Sequence, residues 1–265
     1  MLLMNLDERV VLATAAVLYS AAVVGALLSL LQGRRYAHVI VLGLVGGGFV
    51  VQTVGLYLRG IAQGSCPLSN LFEWVQFVAW SSILLYFVIG AAFRRSLLGF
   101  FSAGLAALLT AIAFVFPSWD ASVAGGGAVQ AWVEAHAAFA LFSYGTFGLL
   151  AVTAGMYLLQ AYGLQHKRLG GLFRLLPSIV EMDRMNQRLL LVGLIGLSGS
   201  ILIAVVYGWD QLGGLAWNKF VATVFVGLSA FGLMALRLAR LLLTQKFAWC
   251  CIGLFCLALF SLVAV

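Results

Sequence analysis

His136 is the side chain with the most chemical promise in this chain. It stands near the start of a long apolar run from Ala131 to Gln160, in the order Trp132-Val133-Glu134-Ala135-His136, whereas His38 and His166 sit beside basic loops. At a helical rise of ~1.5 Å per residue the imidazole lies about 7–8 Å inside that run, near the edge of a bilayer's hydrocarbon. A turn of ~100° per residue puts Trp132, His136, Ala140, Ser143 and Phe147 on one stripe. An imidazole framed by aromatic rings suits a haem iron or a similar flat ligand. It also suits a hydrogen bond to a neighbouring helix, and the residue taken alone favours that plainer use.

Two further groups of residues carry possible chemistry. The first is Gly64-Ser65-Cys66-Pro67-Leu68-Ser69-Asn70-Leu71-Phe72-Glu73-Trp74. Asn70 and Glu73 have capping-box spacing, so a helix is expected to start there, with the Asn70 amide oxygen accepting from the Glu73 N–H. The next turns place Glu73, Phe77, Trp80 and Leu84 on one face, which is either helix packing or the wall of a cleft. The second group is Tyr207-Gly208-Trp209-Asp210 and, a few residues on, Trp217-Asn218-Lys219. Tryptophans at a span boundary are ordinary belt residues. Lys219 would either snorkel to headgroups or meet a carboxylate such as a haem propionate.

These residues must be positioned by membrane helices. Hydrophobic residues make up 64% of the 265 and charged residues 9%, with a mean hydropathy of +1.10, far too apolar for a water-soluble core. The apolar runs are too long and too uniform for a β-barrel. The expectation is an all-α integral membrane protein, one polytopic domain over residues 1–265. Eight spans are read at about 10–31, 37–57, 70–91, 96–116, 131–160, 188–208, 217–241 and 247–265. The first is expected to remain as a span. Residues 165–188 mix Leu169, Leu172, Phe173, Leu175 and Leu176 with Lys167, Arg168 and Arg174, the pattern of a short amphipathic segment on the inner membrane surface.

The net charge of +7 points to topology rather than to nucleic acid, because the basic residues fall in short loops. Arg34, Arg35, Arg94, Arg95, Lys167, Arg168, Arg174, Arg184, Arg188, Arg237, Arg240 and Lys246 fall on one side; Arg9, Arg59 and Lys219 fall on the other. The basic majority marks the cytoplasmic side, so both termini are expected outside. Asp7, Glu8, Glu73, Asp120, Glu134 and Asp210 then share the outer side. Cys66, Cys250, Cys251 and Cys256 form no C-x-x-C or C-x-x-C-H pattern, so neither that kind of redox pair nor covalent haem attachment is signalled. A solute transporter is a second class, with Glu73 and Glu134 as coupling groups, but no inverted repeat or central charged pair supports it. A structural subunit without ligand is a third.

Pro67-Leu68-Ser69-Asn70-Leu71-Phe72-Glu73 with Phe77 and Trp80 resembles a stretch of the cytochrome c assembly family, haem-handling membrane proteins of CcsA, ResC and HemX type. Trp132-Val133-Glu134-Ala135-His136 with Ser143-Tyr144 is similar to that family's histidine helix. Leu176-Pro177-Ser178 through Met182-Asp183 to Arg188 and Gly193 looks like its connection into the next span. The resemblance covers roughly residues 50–245. It implies a protein of a bacterial-type cytoplasmic membrane that handles non-covalent b-type haem at the outer face. Its implied partners are other cytochrome c assembly membrane proteins and apocytochrome c. His136 would then be an axial ligand, with Trp132, Trp209, Asp210, Trp217, Lys219, Glu73 and Trp80 around the cofactor. The family's tryptophan-rich run is interrupted here, and no second outward histidine follows it.

Overall fold

The computed structural model describes residues 7–32, 38–90, 97–120, 131–167, 170, 173, 175–208 and 215–263. Among them stand α1 (Glu8–Leu31), α2 (His38–Gln63), α3 (Leu71–Gly90), α4 (Leu98–Val115), α5 (Ala131–Gln165), α6 (Ile179–Gly208), α7 (Leu215–Leu238) and α8 (Thr244–Val263), with one 3-10 turn at Pro117–Asp120. All eight long helices are of a length and apolarity that can cross a membrane. The chain is an all-α, multi-pass membrane protein.

Boundaries move where polar residues find partners. α2 continues past residue 57 because Arg59, which reads as a polar stop, is buried and ion-paired. α6 begins at Ile179 rather than near 188. There the Ser178 Oγ accepts from the Glu181 N–H at 3.3 Å, and Glu181 Oε2 accepts from the Ser178 N–H at 3.1 Å. Two orphan donors are thus satisfied reciprocally, and the latter part of the expected surface segment becomes the first turns of a span. Leu169, Leu172, Arg168 and Arg174 lie outside the described residues. The expected cap of α3 is present, with the Glu73 N–H donating to Asn70 Oδ1 at 3.0 Å.

Contacts gather the helices into two compact units, residues 1–128 and 129–265, where the sequence reads as one domain because every segment is apolar alike. In the first unit α1 packs on α2 and α4, and α3 packs on α4. Leu12, Ala15, Tyr19, Ala22 and Ala26 form the buried face of α1, a three-and-four spacing whose alanines let neighbouring backbones approach. In the second unit α5 packs on α6 and α8, and α7 packs on the same two. Residues 143–150 of α5 are all buried, as expected of a helix that is apolar on every side. Arg237 staples this unit, donating from Nη2 to both carboxylate oxygens of Asp183 at 2.9 and 2.7 Å and from Nη1 to the Leu242 carbonyl at 2.9 Å.

Candidate functional site

The imidazole of His136 is half-buried on the second turn of α5. Its Nδ1 lies 2.8 Å from the backbone carbonyl oxygen of Ser200 on α6. A carbonyl oxygen can only accept, so a ring proton on Nδ1 satisfies this contact, and the Ser200 hydroxyl oxygen, 2.9 Å from the same nitrogen, can share that proton. The Ser200 hydroxyl donates back to the His136 carbonyl at 2.9 Å. With the ring proton on Nδ1, Nε2 carries the lone pair. That donor set matches a metal-bound imidazole, whose second nitrogen characteristically donates to a carbonyl or carboxylate. It also matches the helix-to-helix bond that the sequence allows for.

The stripe that includes His136 faces α6. A methyl group added at Gly196 would meet the Ser143 hydroxyl at 2.5 Å, and one at Gly193 would strike the ring of Phe147. Ser143 and Phe147 are fully buried. The lower part of the stripe is therefore a close-packed seam, not a ligand wall. Only its upper part, with Trp132 and His136 half-buried, remains partly open.

Glu73, which the resemblance places near the cofactor, is the centre of an ion and hydrogen-bond network. It is fully buried. Its Oε1 accepts from Arg59 Nε and from Gln63 Nε2, each at 2.5 Å, while Oε2 accepts from the Ser69 N–H at 2.6 Å and the Ser69 hydroxyl at 2.9 Å. Arg59 also pairs with Asp120, which in turn meets Arg9 at 3.2 Å. Arg59 lies 5.2 Å from the centre of the Phe72 ring, within cation–π range. Acidic and basic residues that the loop pattern assigns to one side thus meet at one end of the first unit, and both carboxylate oxygens of Glu73 are taken.

Trp80 is likewise committed. Its indole N–H donates to Thr53 Oγ1 at 2.8 Å and its ring stacks on Phe49 at 5.6 Å. With Phe77, Pro67, Leu56, Tyr57 and Thr53 it lines a groove of about 180 Å³. A ~150 Å³ cavity holds one benzene, so this groove is about the size of a single ring. Trp217 and Lys219 stand on the first turn of α7, both exposed. Trp209 and Asp210 lie outside the described residues. Ser200 and the glycines of α6 escape sequence reading, since the key atom is a backbone carbonyl. The three-residue spacing of Gly193, Gly196 and Gly199 is the signal that a close helix contact was coming.

Fold and site define a multi-pass helical membrane protein with a half-buried imidazole tied to a neighbouring helix. Residues 68–264 match the family model described as cytochrome C assembly protein. The chain belongs to that family, and membership supports a role in cytochrome c biogenesis. Two curated relatives are both called Protein HemX. The one from Brevibacillus brevis is 28% identical over 196 residues, 74% of this chain and 72% of its own. The one from Bacillus subtilis (strain 168) is 27% identical over 202 residues, 76% of this chain and 73% of its own.

Proposed function

We propose that this chain binds haem non-covalently, as b-type haem, through His136 Nε2, and handles it for cytochrome c assembly at the outer face of a bacterial-type cytoplasmic membrane. The observation that carries the reading is the Nδ1 contact with the Ser200 carbonyl, which leaves Nε2 as the ring's ligating atom. Family membership supplies the ligand class. Bound haem would supply an iron centre and vinyl groups for transfer or storage. The chain's own part is to hold, orient and release it.

Trp132 precedes His136 by one turn and would cover an edge of the ring system, while Trp217 and Lys219 would meet the macrocycle and a propionate, joined by Trp209 and Asp210. Low-spin iron takes two axial ligands. His136 would hold the iron from one side, and a partner, either another cytochrome c assembly membrane protein or the apocytochrome c that receives the haem, would supply the second ligand. Both termini would face outward, in keeping with the distribution of basic residues.

The alternative is that His136 only ties α5 to α6, and its bonds to Ser200 favour that reading as directly. One experiment separates them. Chain purified in mild detergent and titrated with haem should give a Soret band that shifts on binding, and His136→Ala should abolish the shift while the chain elutes unchanged on size exclusion. An identical spectrum for both would leave the structural role alone.

A further inference from the structure

We infer that the glycine-lined seam between α5 and α6 is a positioning device that sets the tautomer and direction of His136 before any ligand arrives. The seam runs antiparallel. His136 pairs with Ser200, Ser143 lies against Gly196, and Phe147 lies against Gly193. The first of these pairs depends on the other two. A side chain reaches a helix backbone carbonyl at 2.8 Å only if the two helices lie close together, because ordinary residues at the crossing would hold the carbonyl out of reach. Glycines at 193 and 196 remove that obstacle.

Ser200 closes the contact from both sides. Its carbonyl takes the Nδ1 proton and its hydroxyl donates to the His136 carbonyl. On the ring itself, Nδ1 faces both the carbonyl oxygen of Ser200 at 2.8 Å and its hydroxyl oxygen at 2.9 Å, and these two contacts orient the ring and so the direction of Nε2. A histidine held in this way loses less rotational freedom on ligation than a freely turning one. Gly193, Gly196 and Ser200 thus act through His136 and need not touch a ligand themselves. The consequence for ligand affinity rests on the haem reading above; the consequence for the free protein does not.

The test uses the full chain in lipid nanodiscs with 15N-labelled histidine and no haem. NMR of the ring nitrogens, with His136 assigned by comparison with His136→Gln, should show Nδ1 protonated and Nε2 bare. Gly193→Ala drives a methyl into the buried Phe147 ring and should shift His136 toward the Nε2-protonated or an averaged state. Adding Phe147→Ala removes the obstacle and should restore the Nδ1-protonated state. If Gly193→Ala does not fold, Gly196→Leu supplies the wedge and Ser143→Gly the relief.

A wild-type ring protonated at Nε2, or a tautomer indifferent to both wedges, overturns the positioning role whatever haem does. Haem titration of the same proteins reads the other half. The wedge should weaken binding roughly 10- to 100-fold, the usual loss when an outer-shell partner of a ligand is disturbed, and the relieving change should recover it. A tautomer that responds as stated in a chain that takes up no haem keeps the seam's role and removes the haem reading instead.

Discussion

The two places where this protein puts polar groups among apolar helices differ in how completely they are satisfied. In the first unit Glu73 is fully buried, and both its oxygens accept from Arg59, Gln63 and Ser69, while Arg59 is shared with Asp120. In the second unit His136 engages Ser200 through one ring nitrogen, Nδ1. A buried ion centre with every partner in place is architecture. It offers nothing to a ligand, and it is costly to disturb. An imidazole with one ring nitrogen engaged, at the half-open end of a helix, is the reverse: cheap to lose for the fold and, on the proposed reading, the group that binds.

The sharpest way to break that comparison is at Glu73. Glu73→Ala leaves a void beside Arg59, whose Nε loses its carboxylate while Nη2 keeps Asp120, and breaking a buried pair by removing one partner costs about 3–5 kcal/mol. The expected outcome is a chain that expresses poorly or melts many degrees lower in detergent, measured by fluorescence-detected size exclusion after heating. Unchanged thermal behaviour would show that the centre is not structural. Arg237→Ala in the second unit should have a smaller effect. Its bridge to Asp183 is partly exposed, and charged hydrogen bonds of this kind contribute about 1.5–3 kcal/mol. The same assay should rank it between Glu73→Ala and wild type.

How much of this could be read from residues follows the same division. Eight spans were legible because hydropathy and length are properties of single segments. The Asn70–Glu73 cap was legible because three-residue spacing is local. The ion centre was not, since Arg59 and Asp120 are brought together by tertiary packing and each looks like loop polarity in the sequence. His136 stood out in the sequence, and the structure gives it a contact with Ser200 that the sequence could not name, while the lower part of its stripe packs into a helix seam. Aromatic and small residues at helical spacing suit a ligand wall and a helix seam equally, and only the placement of Gly193 and Gly196 opposite Phe147 and Ser143 decides for the seam. The division into two units left no mark in a composition that is apolar throughout.

His136→Ala should sharpen the contrast from the other side. The Ser200 carbonyl belongs to a helix interior and keeps its place in the backbone ladder, so losing the imidazole costs about 1 kcal/mol. Thermal stability without haem should therefore stay close to wild type while haem-dependent stabilisation disappears. That stabilisation is substantial in the wild type if binding is tight, since a ligand at 100 times its Kd adds about 2.7 kcal/mol. A variant that melts as low as Glu73→Ala would place His136 with the architecture, and the contrast between the two units would fall.

The smallest expected effect is at Trp80. The resemblance groups it with the haem contacts, but its indole N–H is occupied by Thr53 and its groove fits one ring. Trp80→Phe keeps the stacking partner for Phe49 and loses one neutral hydrogen bond, a cost of about 0.5–1.5 kcal/mol. It should leave the haem titration curve superimposable on wild type. Thr53→Val, which removes the acceptor instead, should give a similar small loss, and the double variant should cost little more than either alone, because both delete the same bond. A Trp80→Phe chain with weakened haem binding would transfer Trp80 from the packing of the first unit to the ligand, and the boundary drawn here between closed and open polar sites would have to be redrawn around it.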